Sequence, residues 1–318
     1  DANGENGALL LEPSRQNLVQ YSEYFGAWSD ALGCDIYNNT AVSPEGVQNA
    51  ATISFGGSAD SRAFLSVSAS SSTYIFSIYA KSSTSKKFRF RISGSGGTQY
   101  SADLTTTSEW KRFEFEYTGD ISVVGLTNES SAAGGSVNFY GFQAESGSYV
   151  SSYIPNHSGT GGVTRAADSC SVTGVSDVIG QTEGTIFIEF EADEDIPQNM
   201  NLINFNNSTQ ASVLIAKRTS GALRAQVFAG GSAVVDISST VVSGTTKAAF
   251  AYKSGDTVLY VNGVAVSNSN TFTFNGTLSE LIFPSYQAYF NYGHKYSVNQ
   301  SMLFKERLTN AELAALTA

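Results

Sequence analysis

The sequence predicts an all-β protein of two tandem β-sandwiches with a short C-terminal helix. Segments in which apolar and polar residues alternate recur along the chain and are rich in aromatic and β-branched residues; examples are Tyr74–Ala80, Trp110–Tyr117 and Gly184–Glu191. Clusters of Gly, Ser, Asn and Thr separate them, and many short strands at close spacing are typical of sandwiches and barrels. Only 14% of the residues are charged, against about 25% in typical soluble domains. Ser, Thr, Asn and Gly fill the surface instead, a composition that favours exposed sheet over helix.

Chain length and one polar stretch predict the domain organisation. A length of 318 residues favours two domains. The stretch Pro155–Ser169 is polar, rich in glycine and without alternation, and it divides the chain nearly in half. We therefore predict one domain over residues 1–160, a linker over residues 161–178 and a second domain over residues 179–318.

Two local signals in the second half predict a turn and a helix. The dipeptide Asn262-Gly263 is typical of a type I′ turn in a β-hairpin. Near the end of the chain, Thr309 is followed three residues later by Glu312, just as the apolar pattern of Ala311–Leu316 begins. This spacing predicts a capping box at the start of a helix.

Composition narrows the classes of partner. The formal net charge of −10 repels phosphate backbones, so we predict no nucleic-acid binding. No apolar run approaches the ~20 residues of a membrane span, so we predict no membrane insertion. The first residues, DANGENG, are not a signal peptide, and we expect a processed or engineered start inside a longer protein. Cys34 and Cys170 are too few for a disulfide framework; the sequence favours two buried free thiols but leaves a bridge open.

The first half carries motifs in a specific order. The opening stretch Leu9–Trp28 reads LLLEPSRQNLVQYSEYFGAW, and it is followed by QAESG at Gln143–Gly147, SYIP at Ser152–Pro155 and TRAAD at Thr164–Asp168. In order and spacing these motifs resemble a module of bacteriophage tail-fibre and tail-tip proteins. The resemblance covers most of residues 8–168. It implies a jelly roll similar to carbohydrate-binding modules.

That resemblance also implies details of the first domain. Leu9–Leu11 and Tyr149–Ile154 are expected to be the terminal strands of one sheet. A calcium site that such jelly rolls place between their first and last strands nominates Glu12 and Glu145 as metal ligands. A solvated carboxylate at a strand end is the alternative for each of them.

The second half resembles the concanavalin A-like/laminin-G sandwich that often follows the phage module. GTIFIEFEAD at Gly184–Asp193 is similar to its first core strand, and VLYVNG at Val258–Gly263 is similar to its recurrent hairpin. FKERLTNAELAAL at Phe304–Leu316 is similar to its closing strand and helix. Together these matches cover nearly all of residues 180–318.

Catalytic chemistry has few candidate residues. Neither His157 nor His294, the two histidines, lies near a nucleophile-elbow sequence, so a Ser-His-Asp or Cys-His triad has few ways to form. The acidic run Glu189–Asp195 indicates a solvated outer face, with a calcium-binding rim or a glycosidase pair as alternatives. The segment Tyr289–Gln300 is similar to a strand of sandwich-fold alginate lyases, but its spacing differs and the partner motifs are missing. We therefore predict that the protein is not an enzyme.

The connection before the last strand holds the main binding candidates. Sugar rings stack on aromatic planes, and their hydroxyls pair with planar amides. The candidate ligand-binding residues there are Tyr286, Tyr289, Asn291, Tyr292 and His294. The alternative is that these side chains cover a sheet edge. In the first half Tyr24 is the surface candidate, whereas Trp28 and Trp110 match tryptophans of the phage module and are predicted to lie in the core.

Together the residues and the resemblance imply a non-enzymatic receptor-binding or adhesion segment of a phage fibre. It would recognise cell-surface polysaccharide, lie on the virion surface or be extracellular, and form a homo-oligomer, with a trimer expected because weak glycan contacts gain strength from multivalency. A structural calcium ion is the one cofactor implied. The alternatives are an ancillary or catalytic part of an extracellular polysaccharide depolymerase, acting as lyase or glycosidase, and a structural spacer or virion decoration.

Overall fold

The computed structural model describes residues 9–28, 30–58, 61–128, 131, 133–168, 170–192, 199–207, 210–268, 270–283 and 296–318. Strands dominate these residues, and one α-helix lies at the C-terminal end, which confirms the predicted all-β class. Among the described helices, none is long and apolar enough to cross a membrane.

The strands are numbered here in chain order. The first twelve are β1 (Leu9–Leu11), β2 (Arg15–Asn17), β3 (Asp30–Leu32), β4 (Cys34–Ala41), β5 (Ala50–Phe55), β6 (Arg62–Lys81), β7 (Lys87–Gly94), β8 (Gly97–Tyr100), β9 (Leu104–Thr105), β10 (Lys111–Asn128), β11 (Gly135–Ser146) and β12 (Val163–Arg165), with a 3-10 turn at Phe25–Ala27. The others are β13 (Cys170–Thr173), β14 (Glu183–Ala192), β15 (Met200–Asn206), β16 (Ser212–Lys217), β17 (Ala222–Ala229), β18 (Ser232–Val241), β19 (Thr245–Lys253), β20 (Thr257–Val261), β21 (Val264–Asn268), β22 (Glu280–Phe283) and β23 (Tyr296–Phe304), followed by helix α1 (Asn310–Thr317).

The chain forms two compact units, and one is inserted in the sequence of the other. The inserted unit comprises Arg15–Ala166. The host unit comprises Ala167–Ala318 together with the N-terminal segment that ends at Ser14. The chain therefore passes from one unit to the other twice, and the two ends of the inserted unit are neighbours because β2 pairs with β12.

The inserted unit is a nine-stranded antiparallel sheet that folds over its own core. Its strand order is β4-β5-β11-β6-β10-β7-β8, with β3 beside β6 and β9 beside β7. The sheet bends, and its two halves share the long strands β6 and β10. The pairing of these two strands shifts register between Gly119 and Val123, as happens at the bulges that bend a sheet. β7 and β11 would lie about 14 Å apart in a flat sheet, yet the rings of Phe88 and Phe139 are centred 5.0 Å apart. The two halves therefore face each other across the core.

The host unit is a sandwich of two six-stranded antiparallel sheets. Their strand orders are β1-β23-β14-β19-β20-β21 and β13-β22-β15-β16-β17-β18. Alternate side chains of both sheets share one core, with Ile186 and Phe250 from the first sheet and Val213 from the second. On the other face of the first sheet, Leu313 of α1 packs with Phe187. Burial on both faces explains why β14 and β19 are nearly all apolar at their centres.

The N-terminal strand is not where the sequence motifs predicted it. β1 pairs with β23 in the host unit, and Leu11 is buried in the host core. Its expected neighbour, Tyr149–Ile154, is not a strand at all. Backbone groups of this segment form hydrogen bonds with side chains and not with a neighbouring described strand. The N–H of Ile154, for example, donates to Oε1 of Gln143 at 2.7 Å. The prediction that both segments end one sheet of the jelly roll is wrong.

The two tryptophans differ in burial. Trp28 lies in the core of the inserted unit, as predicted. Trp110 is only half-buried, so its predicted core position is wrong. Its indole N–H donates to the carbonyl of Val42 at 2.9 Å, and the Lys81 ammonium lies 4.8 Å from its ring centre. Both partners are available at the surface, which explains why the ring lies there.

Both cysteines are free and half-buried. Cys34 belongs to the inserted unit and donates to the carbonyl of Arg62 at 3.1 Å. Cys170 begins β13 of the host unit. The two cysteines are therefore free thiols, and the disulfide that the sequence allowed as an alternative is not formed.

Two short-range predictions in the host unit are confirmed. Asn262 and Gly263 both have positive φ, 47° and 80°, as a type I′ turn requires. Thr309 Oγ1 accepts from the Glu312 N–H, and the Glu312 carboxylate accepts from the Thr309 N–H at 2.8 Å, which completes the capping box. The Thr309 hydroxyl also donates to the Glu312 carboxylate at 2.7 Å, and this hydrogen bond, followed by the one from the Thr309 N–H, lowers the pKa of the Glu312 carboxyl.

We expect Thr309→Ala to lower the free energy of unfolding of the host unit by about 1 kcal/mol, because a helix N-terminus loses its cap. Glu312 has a lowered pKa when folded, so its contribution is present above its unfolded pKa and disappears as the pH falls through its folded pKa. Urea unfolding at neutral and acidic pH measures both effects. Thr273→Ala, at an exposed threonine of the same unit, is the control; equal midpoints for the two variants contradict the prediction.

Candidate functional site

The predicted ligand-binding residues divide into five of the aromatic connection and one of the inserted unit. Tyr286, Tyr289, Asn291, Tyr292 and His294 lie outside the described residues. Tyr24 is 51% exposed and directly precedes the 3-10 turn of the inserted unit. Its exposure suits a contact residue, and its role in binding stays a prediction.

The predicted calcium ligands lie in different units. Glu145 is fully buried in the inserted unit, where its carboxylate accepts from the Gln143 amide at 2.8 Å and from the backbone and hydroxyl of Ser151, each at 2.7 Å. Glu12 belongs to the host unit, and its N–H donates to the Asp168 carboxylate at 2.9 Å. Among the described residues, no three His, Cys, Asp or Glu side chains are grouped to hold a metal ion. The calcium site stays a prediction.

His157, the histidine among the described residues, lies in a cluster of hydroxyl groups around one carboxylate. Nε2 of His157 lies 3.2 Å from Oε1 of Glu23, the oxygen that also accepts from the hydroxyls of Tyr140 and Tyr153. Burial, followed by hydrogen bonds and nearby carboxylate charge, raises the pKa of the Tyr140 hydroxyl, so it stays a donor. The buried Ser22 hydroxyl is 2.6 Å from the Tyr153 hydroxyl. This serine is thus paired with a phenol, and the cluster is not a Ser-His-Asp arrangement.

A polar groove of about 330 Å³ lies on the face of the β13–β18 sheet that points away from the host core. We call it the amide groove, because six of its described lining residues are amides. Its described lining is Asn199, Asn201, Asn204, Asn206, Gln210, Ala211, Ser212, Leu214, Ala216, Arg218, Gln226, Phe228 and Gly231. Its volume is at the lower end of the range for small-molecule sites in proteins.

A register shift in β15 gathers four asparagines, one just before the strand and three within it, on one face. They are Asn199, Asn201, Asn204 and Asn206. Strand residues alternate between faces, so in a regular strand the first two would face away from the last two. The pairing of β15 with β16 shifts between Asn201 and Ile203, and Leu202 and Ile203 are both buried in the core. This irregularity has the effect of a β-bulge and brings all four amides to the groove.

The floor of the amide groove is a row of three side chains on adjacent strands. Asn204, Leu214 and Gln226 are direct partners across β15, β16 and β17, and they are only 1%, 7% and 8% exposed. Oδ1 of Asn204 is buried and has no hydrogen-bond partner among the described residues. An unsatisfied buried acceptor costs about 1–3 kcal/mol. The free groove therefore holds a polar atom that a ligand could satisfy.

The two ends of the amide groove differ in chemistry. Arg218 follows the last residue of β16, whereas Phe228 pairs with the first residue of that strand. These ends are therefore about 17–20 Å apart along the strand. The turn that carries Arg218 is fixed by its N–H, which donates to the Ala222 carbonyl at 2.9 Å. The amides of the groove therefore lie between a cationic residue, Arg218, and an aromatic residue, Phe228.

The lining favours binding over proton transfer. General acid–base work uses carboxylates, imidazoles or thiols, and the described lining of the amide groove contains none of these groups. Its planar amides can each donate and accept hydrogen bonds. Burial lowers the pKa of the Arg218 guanidinium. The groove can therefore form hydrogen bonds through its neutral amides, and its described lining carries one positive charge, that of Arg218.

Sequence reasoning missed this site, although a signal was present. The segment NMNLINFN (Asn199–Asn206) has asparagines on alternate positions, interrupted by an apolar pair. Two apolar residues in succession at that point are what a bulge with two core-facing side chains would produce. Attention to that interruption could have nominated the groove strand.

Comparisons with known proteins leave the family open. No protein-family model matches this sequence, and no curated protein matches it. Among solved structures, the chain is similar to the binding domain of botulinum neurotoxin DC in complex with SialylT, with 10% identity and a TM-score of 0.38; the alignment covers 47% of this chain and 39% of that one. It is also similar to the CBM40 of the Ruminococcus gnavus IT-sialidase, with 13% identity and a TM-score of 0.35, over 44% of this chain and 84% of that one.

A third similar structure is a leech intramolecular trans-sialidase, with 15% identity and a TM-score of 0.37, over 43% of this chain and 23% of that one. The alignments thus span less than two thirds of the neurotoxin and leech structures. Similarity at this level carries no functional inference, and the functional argument rests on the amide groove.

Proposed function

We propose that this protein binds glycans without modifying them, and that the amide groove holds the saccharide. The observation that carries the proposal is the buried Asn204 oxygen, which has no partner in the described part of the chain and lies at the floor of a groove lined by six described amides. A sugar hydroxyl can donate to that oxygen and accept from a neighbouring amide N–H. Saccharide binding would thus remove the cost of an unsatisfied buried acceptor.

The other lining residues support a sugar over a purely apolar ligand. Sugar rings present C–H faces that pack on aromatic planes, and Phe228 is half-buried at one end of the groove. The small side chains of Ser212 and Ala216 leave room above the floor for such a ring. Amides, a hydroxyl and one aromatic ring together match the alternating polar and apolar surface of a saccharide.

We further propose that the chain is a receptor-binding or adhesion segment of a phage fibre, exposed on the virion surface or otherwise extracellular, and that it recognises cell-surface polysaccharide. The ordered motifs between Leu9 and Asp168 support this context. Shallow sites bind single saccharides weakly, so a trimer that presents three grooves gains avidity. A polysaccharide depolymerase and a structural spacer are the competing functions that the test below separates.

We expect Asn204→Leu to abolish retention on a glycan array while raising the free energy of unfolding of the host unit by about 1 kcal/mol, because the variant removes a buried acceptor without a partner. Array binding and thermal unfolding of the whole chain measure the two effects. Gln99→Ala, an exposed amide on β8, is the control and should change neither.

Three outcomes contradict this assignment. Retention that survives Asn204→Leu but is lost in the double variant Tyr289→Ala, Tyr292→Ala would move the site to the aromatic connection. Release of reducing ends or unsaturated uronates from a polysaccharide panel would establish a depolymerase. Absence of retention on every host-surface extract would favour the spacer.

A further inference from the structure

The one formal charge in the described lining of the amide groove belongs to Arg218. The host unit contains three arginines, and two of them have carboxylate partners: Arg224 pairs with Asp236, and Arg307 lies 3.0 Å from Asp256. The half-buried Arg218 makes no ion pair or side-chain hydrogen bond with any described residue. We infer that the amide groove selects saccharides that carry a carboxylate, with Arg218 as the partner of that group. This inference rests on the proposed function.

The position of Arg218 is fixed before any ligand arrives. Its N–H donates to the Ala222 carbonyl at 2.9 Å, and its own carbonyl accepts from the Gly221 N–H at 2.8 Å. The next residue, Thr219, donates its N–H to Oδ1 of Asn199 at 3.3 Å, so an amide of the groove also braces the turn. The backbone that carries the guanidinium is thus already ordered, so a ligand does not have to order this turn when it binds, which favours affinity.

Arginine chemistry favours a planar anion at this end of the groove. The guanidinium presents parallel N–H groups that match both oxygens of a carboxylate. No carboxylate of the described lining competes for it. The chain carries a net charge of −10, so an acidic saccharide gains little from the overall field and depends on this local cation. The tightest binding would therefore combine a carboxylate at Arg218 with a hydroxyl at Asn204.

The test uses the full chain and an array of sialic acid- and uronate-containing glycans, each beside its carboxyl-reduced neutral form, with sulfated neutral glycans as a further arm. We expect the wild-type chain to bind its carboxylated ligands about tenfold more tightly than their reduced forms, the scale of one charge-assisted hydrogen-bond pair. Arg218→Gln should reduce this preference to about twofold or less while leaving the binding of reduced forms unchanged. Arg218→Lys should keep part of the preference, because lysine keeps the positive charge but lacks the parallel N–H groups of the guanidinium.

The matched control is Arg91→Gln, which changes a half-buried arginine of the inserted unit and should leave the preference intact. Equal binding of carboxylated and reduced glycans would leave glycan binding standing and overturn the carboxylate inference. A preference for sulfated glycans, or a carboxylate preference that survives Arg218→Gln, would also overturn it. No binding to any glycan of the panel would overturn both.

Discussion

Replacing Glu145 by alanine is expected to destabilise the inserted unit by about 3–5 kcal/mol, because a buried ionic network loses its anion. The carboxylate is fully buried and lies 3.6 Å from the Arg15 guanidinium. It also accepts from Gln143 and from two groups of Ser151. Its removal leaves a half-buried cation and several donors without an acceptor. Urea unfolding, followed by a signal from the inserted unit, measures the loss.

Glu114→Ala is the matched control for Glu145→Ala, because Glu114 is an exposed glutamate of the same sheet. It should change the free energy of unfolding by less than about 0.5 kcal/mol. Glu145→Gln should fall between the two, because it keeps one acceptor oxygen and loses the charge. If Glu145→Ala unfolds at the same urea concentration as Glu114→Ala, the carboxylate does not hold this part of the fold. The same measurement on the wild-type chain with added calcium tests the site predicted at Glu12 and Glu145.

Leu11→Ala is expected to lower the free energy of unfolding of the host unit by about 2–3 kcal/mol and to leave the inserted unit unchanged. Leu11 is 3% exposed in the host core, although it precedes the inserted unit in sequence. Truncation of a buried leucine removes its transfer energy and leaves a cavity, and the edge position of β1 places the cost at the lower end of the usual range. Hydrogen exchange resolved by peptide separates the two units.

The control for Leu11→Ala lies on the same strand. Leu9 is 40% exposed, so Leu9→Ala should have an effect below about 0.5 kcal/mol. Faster exchange in the inserted unit of Leu11→Ala, with the host unit unchanged, would contradict the placement of β1. It would instead agree with the expectation that Leu9–Leu11 ends the jelly roll.

Local patterns predicted much of the fold because they depend on short-range physics. Alternation predicted the all-β class, the Asn262-Gly263 dipeptide predicted its turn, and the spacing of Thr309 and Glu312 predicted the helix start. Each of these features is determined within a few residues. The partner of a strand is not, since any strand with one apolar face can complete more than one sheet. That is why the placement of Leu9–Leu11 failed.

The motifs of the first half carry different information from what their resemblance suggested. Asn17 is fully buried, and its amide donates to the carbonyls of Phe142 and Ile154 at 3.2 and 2.9 Å. Its oxygen accepts from the N–H groups of Val19 and Ala144. This motif residue therefore fastens backbone segments of the inserted unit together, which is a structural role.

The amide groove was hidden from sequence reasoning for a physical reason. Asn201 and Asn204 are three positions apart, which in a regular strand places them on opposite faces. Only the register shift beside Leu202 puts them together. The rest of its floor comes from β16 and β17, where hairpin pairing brings Gln226 opposite Leu214. A site made by an irregularity and by pairing between strands has no periodic signature.

The insertion of one unit into the other bears on how such a protein can change over time. Residues Arg15 and Arg165 are direct partners in the β2–β12 pair, so the inserted unit begins and ends at neighbouring points. A different module whose own ends lie side by side could replace it through a single exchange of coding sequence. The host sandwich, including the groove and β1, would keep every residue that it needs. The architecture thus permits the inserted unit to be exchanged while the host unit is inherited intact.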